Sequence, residues 1–66
     1  MITIIDNGDV NLVKKLPDRS SELFIFIPKE YTPDTIAKAL TIIQQKVTNT
    51  GEIIIAETLP AAFERL

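Results

Sequence analysis

The chain contains neither cysteine nor histidine, so it lacks the side chains that most often supply nucleophiles, proton carriers near neutral pH and zinc ligands. What remains for chemistry is lysine, carboxylate and a single tyrosine. Lys29, Tyr31 and Glu57 are the first candidate group: a cation, a phenol and a carboxylate lying just past two apolar runs, Phe24-Ile25-Phe26-Ile27 and Ile53-Ile54-Ile55-Ala56. If those runs are parallel strands, both end at one edge of a sheet, where ligands favour the crevice beyond the carboxyl ends. Turn chemistry competes with this small-ligand reading, with Thr32 capping a helix, Lys29 solvated and Tyr31 packed over the helix entry. No glycine-rich phosphate loop accompanies the group, and Asp34 repels an anion at the helix start. Turn chemistry is therefore the preferred explanation. No catalytic residue, cofactor or metal is assigned, and the chain is not expected to be an enzyme.

Lys14, Lys15 and Arg19 form a second group, one that could touch phosphates from the end of a β-ribbon, as in some dimeric DNA-binding proteins. Asp18 and Glu22 are interleaved with them, and the formal net charge is −2. A field that weak does not track a phosphate backbone. Lysines that guard an edge strand explain the pair as well, and nucleic-acid binding is kept as the alternative function, with a small-ligand-binding domain ranked behind it. Asp6 and Asp9 flank Asn7-Gly8, but a calcium loop needs alternating oxygen ligands over about 12 residues and a distal glutamate. Turn formation accounts for them.

These residues have to be held by elements that the apolar pattern defines. Asn7-Gly8 between Ile2–Asp6 and Asp9–Val13 is a strong hairpin signal, since both turn residues tolerate positive φ. That hairpin sets Ile5 opposite Val10 and Ile2 opposite Val13, and gives the ribbon an outer apolar face of Ile2, Ile4 and Val13. The latter part of Lys14–Ser21 reads as a loop. Glu22–Pro28 reads as a central strand covered on both faces, ended by Pro28. Thr32 and Pro33 open a helix as N-cap and first residue. Ile36, Ala39, Leu40, Ile43 and Val47 make its apolar stripe to about Thr48, and Asn49-Thr50-Gly51 closes it. Glu52–Glu57 follows as a strand parallel to the central one, because strand, helix and strand in succession imply a crossover. Thr58–Leu66 starts as a second proline-led helix, with Leu59, Ala62, Phe63 and Leu66 on one side.

The expected architecture is one small α/β domain over 1–66, of α+β class. An N-terminal β-hairpin and a βαβ unit form a mixed sheet of about four strands, with one long helix on a face and a short C-terminal helix. A chain this short buries a modest core, and without cysteine or histidine it has no disulfide or zinc staple. Thirty residues are apolar, eleven of them isoleucine. One long helix does not cover so much. The expected function is accordingly a noncatalytic protein–protein interaction module, a small regulatory or assembly subunit acting as a homodimer or in a larger complex. Its partner contacts are assigned to Ile2, Ile4, Val13, Phe63 and Leu66. No apolar run approaches the roughly 20 residues of a membrane span, and the start does not resemble a secretory leader. No membrane association and a cytoplasmic location are expected.

Overall fold

The computed structural model describes all of residues 1–66. Strand β1 (Ile2–Gly8) leads through a one-turn helix α1 (Val10–Lys14) to β2 (Ser21–Pro28), then through α2 (Pro33–Ile43) to β3 (Val47–Ile55), and α3 (Leu59–Glu64) follows. The three strands form one sheet in the order β1-β2-β3, and both pairings are parallel. The expected hairpin, fourth strand, mixed sheet and long helix are absent.

The hairpin fails for a local reason. A type I′ turn needs positive φ at both central residues, whereas Asn7 has φ 54 and no glycine in the chain has a positive value. Asn7 instead sits in an irregularity between Ile5 and Gly8, where the register to β2 shifts. Gly8 is needed for clearance: a Cβ there would lie 2.2 Å from Ile5 Cγ2 and 3.1 Å from a Phe26 ring carbon. Asp9 then caps α1, its carboxylate accepting from the Asn11 N–H at 2.9 Å. Val10, Val13 and Leu16, three apart, turn toward the core, so the segment expected to return as a strand crosses over as a helix.

The intended long helix ends at Ile43. Val47 continues its apolar spacing but enters the same core as the first residue of β3. Asn49-Thr50-Gly51, expected to close a helix, lies within β3, where the register jumps between Ser21↔Val47 and Leu23↔Glu52. A Cβ at Gly51 would meet Val47 Cγ1 at 2.3 Å, so only glycine lets this irregular stretch fold so tightly on itself. The start of α2 is built as its sequence implies. Thr32 accepts from the Thr35 N–H, the Thr35 hydroxyl accepts from the Thr32 N–H, and Pro33 opens the first turn.

Two apolar clusters follow from the pleat. With strands added in sequence order, two crossovers of one hand set both helices on one face, and α1 and α2 indeed close over Phe24 and Phe26 together with Val13, Ala39, Ile43 and Val47. On the opposite face Ile25, Ile27, Ile54 and Ala56 pack with Ala62 of α3, flanked by Leu23, Leu59 and Ala61. Alanines on α3 bring its backbone close to the sheet. Thr58 caps it by accepting from the Ala61 N–H at 3.3 Å.

Candidate functional site

Registered residues on parallel strands point to the same face, so the pairings define rows running across the sheet. One row is Ile4, Ile25 and Ile54, and the next is Ile2, Leu23 and Glu52. Along the first row exposure is 46%, 1% and 5%. The α3 helix closes the row over β2 and β3 and leaves its β1 end in water. Ile2, one row away on the same strand, is 65% exposed. These two isoleucines are brought together as the sequence pattern anticipates, but on an edge strand of a parallel sheet and not on a hairpin.

The two edges of the sheet differ. On β3 the outer strand is irregular, carries Glu52, and has its Ile55 carbonyl occupied by the Arg65 guanidinium at 2.7 Å. Charges and irregularities of this kind blunt an edge against further pairing. Between Ile2 and Ile5, β1 has no charge, proline or irregularity. Its free backbone groups have a definite pattern. The Met1 carbonyl accepts from the Glu22 N–H, and backbone groups of successive strand residues alternate in direction. Those of Ile2 and Ile4 therefore point away from β2.

The other residues assigned to a partner surface are placed differently. Val13 is fully buried in the helix-side core, because the hairpin that would have turned it outward does not exist. It is unavailable to a partner. Phe63 on α3 is 47% exposed and Leu66 beyond it is exposed. The face of α3 that packs on the sheet is Leu59, Ala61 and Ala62, so neither of these two large side chains anchors the helix.

Lys29 lines a hollow of about 240 Å³ at the carboxyl ends of β1 and β2, together with Gly8, Asp9, Val10, Pro28, Glu30 and Thr35. Tyr31 and Glu57 do not line it, so the expected triad is not assembled there. Two carboxylates oppose its one cation, Asp9 is engaged in capping α1, and Thr35 in capping α2. Lys14 lies in a shallow groove between α1 and α2 with Asn11, Lys38 and Thr41, and Lys38 is paired with Asp34 at 3.3 Å. Lys15 is exposed at the end of α1.

Arg19 is spent on structure. Its guanidinium donates to the carbonyls of Gln44 and Val47, both at 3.0 Å, tying down the corner between α2 and β3. Beside it Lys46, only 7% exposed, donates to Asp18 Oδ1 at 2.7 Å and to the Lys14 carbonyl at 3.4 Å. This hydrogen bond, together with the charge of the same ammonium, holds the Asp18 carboxyl below its ordinary value against a smaller desolvation effect, with Arg19 adding in the same direction. The pair joins the loop before β2 to the corner before β3. A lysine between helix and strand carries no distinctive sequence signal, which is why this clasp is legible only in three dimensions.

No set of three or more His, Cys, Asp or Glu side chains converges to hold a metal, and no helix is long and apolar enough to cross a membrane. Comparison with protein-family models, with curated proteins and with solved structures finds no match to this chain.

Proposed function

We propose that the chain is a noncatalytic protein–protein interaction module, a small regulatory or assembly subunit acting in the cytoplasm as a homo-oligomer or within a larger complex. Its binding element is the outer edge of β1 with Ile2 and Ile4. The observation that carries this reading is the open end of the Ile4-Ile25-Ile54 row, next to backbone groups that nothing in the chain occupies. Adding a strand to such an edge satisfies main-chain hydrogen bonds, while side chains on alternate positions select the partner. Ile2 and Ile4 stand at those alternate positions on one face.

A photo-crosslinking residue at position 4, compared with one at Leu12 on α1, tests this in cells that make the protein. Leu12 is also half exposed but lies on the helix side. Discrete adducts from position 4 and none from position 12 are expected. Equal yields from both, or none from position 4, would overturn the assignment of the edge.

A further inference from the structure

Resting on β1 as the binding edge, we infer that its occupant is a second copy of this chain, joined antiparallel, β1 to β1, about a two-fold axis through Thr3. A symmetric dimer presents the same patch twice, so residue i meets j and j meets i. An edge strand related to itself by a two-fold axis pairs antiparallel. The outward backbone groups belong to Ile2 and Ile4, and these must meet each other to form narrow hydrogen-bonded pairs.

A register that pairs Ile2 with the partner's Ile2 leaves Ile4 with no isoleucine opposite it, so two others remain. One pairs Ile2 with the partner's Ile4 and, by symmetry, Ile4 with the partner's Ile2. The other pairs Ile4 with the partner's Ile4 and sets the Asp6 carboxylate opposite the partner's Ile2. The first keeps Asp6 outside the paired segment and gathers four isoleucine side chains into one block, extending the Ile4-Ile25-Ile54 row of each copy into the other. The second desolvates a carboxylate against an aliphatic neighbour without a partner for it. Apolar matching therefore selects the register centred on Thr3.

Area sets the strength. The accessible surface of 4221 Å² is close to the ~4,200 Å² expected of a folded monomer of this mass, so the chain is not a half-core awaiting a large obligate interface. A short edge pairing with its flanking isoleucines covers well below the ~800 Å² per partner of a standard interface. The pairing is thus of the weak, reversible kind.

Sedimentation velocity of the full chain from about 10 μM to about 1 mM reads the association directly. Rising average mass is expected for the parent protein, and Ile4→Lys should weaken association by at least about tenfold, because a charge on the strand is what natural edges use against pairing. A parent protein monomeric throughout would overturn the homodimer, while crosslinks from position 4 to other proteins would still uphold the binding edge. The register is read by mild oxidation in this cysteine-free chain. Facing residues of a non-hydrogen-bonded antiparallel pair lie about 4.5 Å apart at Cα, within disulfide range. Thr3→Cys should form a covalent dimer faster than Ile4→Cys and much faster than Leu12→Cys. Fastest dimerisation of Ile4→Cys or of Leu12→Cys would overturn the two-fold axis through Thr3. Because Thr3 also bonds Ser21 at 2.7 Å, isotope-filtered contacts between Thr3 side chains in a mixed-label sample of the unmodified protein provide the same reading without a substitution.

Discussion

On one face of the sheet Phe24 and Phe26 are sealed by two helices that between them reach all three strands; on the other, α3 covers β2 and β3 and stops short of β1. The helix side is closed by large side chains meeting from sheet and helix. The α3 side is closed by alanines that let a six-residue helix lie close. Similar apolar content thus gives a finished core on one face and an unfinished edge on the other. A fold this small allocates its limited helical cover unevenly, and the strand left over is where binding is cheapest, since no internal contact has to be broken.

The largest expected effect is on the finished face. Phe26→Ala removes a fully buried ring and should cost about 3–5 kcal/mol, most of the stability of a domain this size. Urea denaturation is the check, and a loss under ~1 kcal/mol would mean that the helix side is not the principal core. Arg19→Ala comes next, with about 1–2 kcal/mol expected from two lost bonds of a charged donor. Arg19→Gly should lose less than Arg19→Ala, because glycine relieves the strain that arginine and alanine both bear at φ 54. Phe63→Ala is expected to cost no more than about 1 kcal/mol, because the ring is half exposed and the helix is anchored through Ala62. A loss as large as that of Phe26→Ala would show that the α3 side is as tightly closed as the other.

The smallest effect is at the Asp18–Lys46 clasp and depends on pH. The folded carboxyl titrates below its ordinary value of 3.8, so its contribution is fully present above that value and is lost as pH falls through the lower folded one. The stability difference between the parent and Asp18→Asn should be constant at neutral pH and close only in acid. A gap that stays unchanged as pH is taken well below 3.8, down to acid unfolding, would exclude this carboxylate as its source.

The β2 strand, the capped start of α2 and the parallel return into β3 are legible in the sequence because each rests on a local signal: a continuous apolar run, Thr32-Pro33, and a crossover pattern. The first connection is not, because Asn7-Gly8-Asp9 serves a hairpin and a strand-to-helix passage equally well. Its Val10, Val13 and Leu16 spacing does carry the helical alternative, over too short a span to outweigh the turn signal. Ile2 and Ile4 are legible as surface candidates because their alternation holds in either topology. Val13 is misassigned because its placement depended on the hairpin, while helical spacing alone does not show that alanines, and not Phe63, make the contact of α3 with the sheet. The Lys46 clasp depends on two corners far apart in sequence.

The backbone amide of Ile4 tests the account most directly. Its N–H points to the free edge, whereas those of Thr3 and Ile5 point toward β2, so hydrogen exchange followed residue by residue over protein concentration separates an open edge from a closed one. The account predicts that Thr3 and Ile5 are protected at every concentration, and that Ile4 exchanges freely when dilute and gains protection as the protein associates. Protection of Ile4 equal to that of its neighbours in dilute solution, or none at any concentration, would contradict it.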